Sequence, residues 1–262
     1  MNILDEIIAY KKIEVEENQK LVPLNQLMES KFYHGDTYSL AKKLAESQAS
    51  IIAEFKRKSP SVKDINIEAD PRQIIPDYNL GGAAAISVLT DKKYFGGALT
   101  DLEKVRSLTT LPILRKDFII DEFQIHEAKA SGADLILLIG YCLERSKAED
   151  LTALAHSIGL EVIFEIHKLQ ELDHMPAEID ILGVNNRNLT SFEVDYKNAI
   201  RLLPDLPEGK LKISESGIHS ITAFKESIEA GYKGCLIGEY LMKENDPTNT
   251  IQSLLKSTRN ED

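Results

Sequence analysis

Apolar residues recur along this chain in two rhythms. Near the start, Ile3, Leu4, Ile7, Ile8 and Ile13 fall at helical spacing, and a second helix is predicted over 38–48. From residue 50 onwards short apolar runs take over, at 50–55 (SIIAEF), 84–89 (AAISVL), 112–114 (PIL), 134–139 (DLILLI), 160–166 (LEVIFEI), 180–184 (DILGV), 210–213 (KLKI) and 234–237 (GCLI). Stretches with helical patterning separate them, such as "DEFQIHEAKASGA" and "LERSKAEDLTALAHSIG". Gly132 and Gly159 stand where helices commonly end on glycine. Eight strands are predicted, each followed by a helix.

Strand–helix alternation implies parallel pairing. Eight such units over about 210 residues fit a (β/α)8 TIM barrel, here with an N-terminal helical extension. A doubly wound sheet is the competing architecture. It normally carries a glycine-rich turn after its first strand, whereas here that strand runs into "KRKSPS". The economical organisation is one domain, 1–262, of which 1–48 form the extension.

Side chains alternate along a strand, so parity assigns the faces. One face of the first strand carries Ile52, Glu54 and Lys56; of the third, Leu114, Lys116 and Phe118; of the fifth, Ile163 and Glu165. The sixth aligns Ile181, Gly183, Asn185 and Arg187, the seventh Leu211, Ile213 and Glu215, and the eighth Leu236 and Gly238. Apolar or small residues come first, and in all but the eighth strand polar ones follow. A barrel interior is packed by side chains and its active site lies at the C-terminal mouth. The polar residues are therefore predicted to ring a pocket there. Arg57, Arg115 and Asp117 have the opposite parity and are expected in structural ion pairs. The seventh and eighth strands end in "ISESGI" and "LIGEYL". Loops in those places often bind phosphate through backbone N–H groups. Ser216-Gly217 and Gly238-Glu239 are the candidates, with the Glu239 side chain turned away.

Composition narrows the partners. Thirty-one basic against 42 acidic residues give a net charge of −11, a surface that repels nucleic acid and anionic membranes. No apolar stretch is long enough to span a bilayer, and the acidic N-terminus lacks the basic start of a signal peptide. Two cysteines, Cys142 and Cys235, with no CxxC and no His–Cys metal spacing, fit a reducing cytoplasm. His126, His156, His167 and His219 are assigned to helices or helix starts with no part in chemistry, and Tyr240 and Met242 to the core.

In order along the chain, "IIAEFKRKSPS", "ILRKDFIID", "EVIFEIH", "GVNNRNL", "ISESGI" and "LIGEYLM" resemble the indole-3-glycerol phosphate synthase family of tryptophan biosynthesis. The resemblance implies a (β/α)8 barrel whose extension helps cover the substrate. It implies a reaction on 1-(2-carboxyphenylamino)-1-deoxyribulose 5-phosphate that closes the indole ring, releases carbon dioxide and eliminates water, with no metal or organic cofactor. Catalytic roles are implied for Glu54, Lys56, Lys116, Glu165, Asn185 and Ser216. Arg187 and Glu215 would bind substrate, Ser59, Gly217, Gly238 and the Glu239 amide its phosphate, and Pro60, Phe118 and Leu189 its anthranilate ring. Leu236, on the same face as Gly238, joins the substrate-binding set. One departure is "VKDIN" after "SPS", where many relatives carry a Lys-Gly pair. The expected enzyme is a monofunctional monomer acting on a small phosphorylated molecule.

Ring closure of that kind needs a general acid for the ketone oxygen. Lys116 suits the task, and burial near Lys56 is expected to make it release its proton more readily. Dehydration needs a proton delivered to the departing hydroxyl and one taken from the ring nitrogen, tasks that Glu54 and Glu165 could divide either way. Lys56, Lys116 and Arg187 are expected to make the pocket locally positive. Three other readings share the barrel. A phosphoribosylanthranilate isomerase would want a Cys/Asp pair at strand ends. A non-catalytic phosphosugar-binding barrel would keep the glycine loops without needing Lys116 beside Glu165. A Schiff-base aldolase would use Lys116 as nucleophile.

Overall fold

The computed structural model of the protein describes residues 3–188 and 193–259. Three helices come first: α1 (Ile3–Leu21), α2 (Leu24–Met28) and α3 (Leu40–Glu46). The strands are β1 (Ser50–Phe55), β2 (Ala85–Leu89), β3 (Ile113–Lys116), β4 (Leu135–Ile139), β5 (Glu161–Ile166), β6 (Ile181–Asn185), β7 (Leu211–Glu215) and β8 (Gly234–Ile237). They pair in parallel in sequence order, and β8 closes on β1. Around and after them lie α4 (Pro71–Gly81), α5 (Lys92–Phe95), α6 (Leu99–Arg106), α7 (Glu122–Ala130), α8 (Arg145–Ser157), α9 (Lys197–Leu202), α10 (Ile221–Ala230), α11 (Glu239–Lys243) and α12 (Pro247–Lys256). This is the (β/α)8 barrel that the alternation predicts. No helix among the described residues is long and apolar enough to cross a membrane.

Each strand lies where an apolar run places it, but three run on past the apolar residues. Lys116 pairs with Leu89 and Glu215 with Asn185 in the ladders. Backbone hydrogen bonding continues regardless of side-chain polarity, and this carries Lys116, Asn185 and Glu215 to the mouth in fixed register. The fifth unit differs from expectation: a 3-10 helix, Leu169–His174, replaces an α-helix. Pro176 stops it, by disfavouring a helical conformation in the residue before it; Met175 is extended accordingly.

Alternation sorts the apolar residues into two cores. Ile52, Leu114, Leu137, Ile163, Ile213 and Leu236 point inward and fill the barrel. Ile51, Phe55, Val88, Ile136, Phe164 and Ile237 point outward against the helices. The bottom of the barrel is stopped by α3, whose Leu40 and Leu44 join the inner core. Glu161, the first residue of β5, docks that helix: its carboxylate accepts hydrogen bonds from the Leu40 and Ala41 amides at 2.9 and 3.0 Å, and the Ser39 hydroxyl also donates to it. A carboxylate suits the electropositive start of a helix. Side-chain caps start other helices, from Asp70, Asp121, Ser220 and Asp246.

Helix α1 lies over the mouth with Leu4, Ile7, Lys11 and Val15 buried along one stripe. Ile13, expected in that stripe, is 55% exposed, because it sits about two-thirds of a turn away from Ile7. A lysine takes the buried place. The Lys11 Nζ lies 2.9 Å from Asp91, 3.0 Å from Asp117 and 2.5 Å from Glu14. Burial works against its charge, but Asp117 and Asp91 outweigh it and hold the ammonium well above its ordinary pKa. Arg115 extends the cluster, bridging Asp117 at 3.3 Å and Glu127 at 3.2 Å, and Arg57 pairs with Asp101. The opposite-parity charges are thus the structural ion pairs that the sequence suggests. Removing one partner of a buried pair strands the other charge, at about 3–5 kcal/mol. Lys11→Met is therefore expected to lower unfolding free energy by about 3 kcal/mol or more, measured by urea denaturation. A midpoint equal to wild type would mean that Asp91 and Asp117 do not depend on Lys11.

Candidate active site

The inward polar residues meet at the C-terminal mouth. From β1, Glu54 accepts a hydrogen bond from the Lys56 Nζ at 2.7 Å. From β3, the Lys116 Nζ lies 3.0 Å from Glu165 of β5 and 3.4 Å from Glu215 of β7. Asn185 ends β6 and Arg187 follows it, and the Arg187 guanidinium donates to the Ser61 hydroxyl at 2.9 Å across the opening. Ser59, in the turn after β1, is buried and its hydroxyl accepts from the Val62 amide. One cavity is lined by all of these together with Pro60, Phe118, Ser216, Gly217, Leu236, Gly238 and Glu239. Leu189 lies outside the described residues. Ile3 and Leu4 of α1 contribute to the cavity wall, as does Phe95, whose ring lies 6.1 Å from that of Phe118.

Two glycines make this crowding possible. A Cβ at Gly238 would come within 2.5 Å of the Glu54 Oε1. One at Gly183 would collide with the Glu215 Oε1. Gly238 is thus required by a carboxylate inside the barrel. Ser216 and Gly217 both have positive φ, 68° and 80°, a conformation costly for a residue with a side chain. The Glu239 side chain bends back to Lys243 at 2.6 Å, though it still borders the cavity.

The electrostatics correct two expectations. Lys116 is not primed to lose its proton. Burial does oppose its charge, but Glu165, Glu215 and Glu54 together outweigh burial and raise its pKa; Lys56 is occupied with Glu54. Nor is the pocket an excess of positive charge, since Lys56, Lys116 and Arg187 face Glu54, Glu165, Glu215 and Glu239. The buried carboxylates divide. Burial pushes Glu165 up, yet Lys116 and then His167 outweigh it and bring its pKa down to about 2. Glu215 goes the other way: burial raises it, and the neighbouring Glu165 charge raises it further. The two buried glutamates are thus pushed in opposite directions, Glu165 toward the anion and Glu215 toward the neutral acid.

The sequence profile of indole-3-glycerol phosphate synthase matches residues 4–254. The chain belongs to that family. It is 45% identical over 256 residues to the indole-3-glycerol phosphate synthase of Bacteroides thetaiotaomicron, covering 98% of both chains. It is 40% identical over 259 residues to that of Caldanaerobacter subterraneus, covering 98% of this chain and 99% of that one. Among solved structures it is similar in fold to 3-hexulose-6-phosphate synthase from Salmonella typhimurium, with a TM-score of 0.61, 12% identity, and coverage of 80% and 98%.

Tyr240, His219 and His167 are among the cavity residues of this indole-3-glycerol phosphate synthase family member that the sequence reading left out of the site. Tyr240, assigned to the core, is half-buried and borders the cavity, while Met242 is buried as expected. His219 borders it too. His167 sits beside Glu165, and parity could have found it: residues 163, 165 and 167 share one face.

Gly238→Ala tests the room made for Glu54. The backbone there has φ −120° and ψ −72°, outside the main regions for residues with a side chain, so the substitution strains the backbone as well as displacing the Glu54–Lys56 pair. Turnover is expected to fall roughly tenfold or more, as misplaced catalytic groups do, in a protein that still folds but melts a few degrees lower. Unchanged turnover would show that Glu54 has space to spare.

Proposed function

We propose that this chain is an indole-3-glycerol phosphate synthase in activity as well as in family, converting 1-(2-carboxyphenylamino)-1-deoxyribulose 5-phosphate to indole-3-glycerol phosphate, carbon dioxide and water. The observation that carries the reading is the Lys116 ammonium at the barrel mouth, 3.0 Å from Glu165 and 3.4 Å from Glu215. An ammonium with a raised pKa stays protonated in the resting site, ready to donate to the ketone oxygen as the aromatic carbon attacks. The bond to the carboxylate carbon then breaks, and its electron pair restores the aromatic ring as carbon dioxide leaves. Glu215, held neutral, is suited to protonate the departing hydroxyl. Glu165, held anionic, is suited to take the proton released as the indole forms. Glu54 positions Lys56, and Asn185, Ser216 and Arg187 orient the substrate's polar groups.

Phosphate would be held by the backbone after β7 and β8, at Gly217, Gly238 and the Glu239 amide, with Ser59 opposite. Leu236, Pro60, Phe118 and Leu189 would flank the aromatic ring. A monomer working in the cytoplasm belongs to the same reading, supported by two free cysteines and the charge of −11. The rival chemistries have less support. Neither cysteine borders the cavity, which an isomerase with a Cys/Asp pair would want. A Schiff-base nucleophile must be a neutral amine, and the carboxylates hold Lys116 charged.

Two measurements test this. Purified protein with the carboxyphenylamino substrate and a metal chelator should develop indole fluorescence; none would overturn the activity. In single-turnover experiments Lys116→Met should lose roughly 10²–10⁴ in rate, with much smaller loss of affinity for a non-reactive reduced analogue. A loss confined to affinity would reassign Lys116 to uniform binding.

A further inference from the structure

Glu165 is gripped on both oxygens. Its Oε2 faces Lys116, and its Oε1 faces the ring of His167, whose Nε2 lies 3.4 Å away. His167 is only 9% exposed at its side chain, and its Nε2 has no aligned hydrogen-bond partner. The ring is itself anchored. Glu171, buried in the 3-10 helix after β5, accepts a hydrogen bond from the His167 amide at 2.7 Å and faces the ring Nδ1 at 3.3 Å. A carboxylate, a histidine ring and a second carboxylate thus follow one another, Glu165 to His167 to Glu171.

We propose that His167 is a positioning residue: anchored by Glu171, it fixes the Glu165 carboxylate so that the proton-accepting oxygen keeps its aim while Lys116 engages substrate. This rests on the role given to Glu165 above. The need is physical. Lys116 is the only other group within ion-pair reach of Glu165 among those described, and a Lys116 that turns toward a ketone oxygen loosens its hold. A carboxylate on a flexible side chain then needs a second anchor, because small displacements of a catalytic group cost large factors in rate. The ring, with an N–H on each nitrogen, supplies one from the side away from Lys116. At 3.4 Å the contact is long, as catalytic hydrogen bonds often are before substrate binds, and it tightens when the carboxylate is engaged. His167 borders the cavity wall, but in this reading it works through Glu165.

A double-mutant cycle in single-turnover kinetics tests it, with His167→Leu, Glu165→Gln and the pair. His167→Leu is expected to lose roughly 10- to 100-fold in rate, with KM within about threefold. His167→Gln, which carries an N–H to about the place of the Nε2, should recover most of that loss. In the Glu165→Gln background His167→Leu should cost nothing more, because residues acting as a unit are not additive. Equal losses in both backgrounds, or a loss only in KM, would overturn the positioning role and leave Glu165 intact as base. A Glu165→Gln enzyme with a wild-type single-turnover rate would instead remove Glu165 from the mechanism, and the proposal with it.

Discussion

Closing eight parallel strands into a ring forces every second side chain into a space that must be filled. Here the filling is apolar from the bottom upward, with Ile52, Ile163, Ile213 and their neighbours. At the last inward positions it gives way to Glu54, Lys116, Glu165 and Glu215. These side chains have no room to turn away, so their charges are set against one another at fixed strand spacing. The pairing of Lys116 with Glu165 and Glu215 is the direct result of barrel register, since Lys116 is laddered to β2 and Glu215 to β6.

Fixed spacing explains why two glutamates of one ring behave differently. Both are buried and both would prefer to be neutral. Glu165 has cationic company, from Lys116 and His167, and stays ionised. Glu215 shares Lys116 at a longer distance and sits against an existing negative charge. The same side chain is thus pushed toward two opposite protonation states by environment alone.

Much of this was legible in the sequence. Parity along β1, β3, β5, β6 and β7 picked the side chains of the mouth, because a strand has only two faces. The ion pairs of Arg57 and Arg115 followed from the same rule. What parity cannot give is distance. Whether Lys116 would feel Lys56 or three carboxylates depends on barrel stagger, so the sign of its shift was misjudged. Gly238 was read only for its place in a loop, because its second constraint, the side chain of Glu54, comes from a strand far away in the chain. His167 was within reach of parity and was passed over because it follows the last apolar residue of its run.

The docking of α3 under the barrel bears on how the chain is made. Ser39 and its neighbours meet Glu161, 122 residues later, while Asn18 of α1 meets Glu127, 109 residues later. During synthesis the extension leaves the ribosome before the barrel, yet Glu127 does not exist until nearly half of the 262 residues have been translated, and Glu161 until more than half. Until then Leu4, Ile7, Leu40 and Leu44 have no barrel to enter, and their apolar surface is open to whatever else is near. Contacts of such long sequence separation form slowly, and exposed apolar segments in growing chains invite aggregation. The segment that stoppers the finished barrel is the one that a nascent chain must shield the longest.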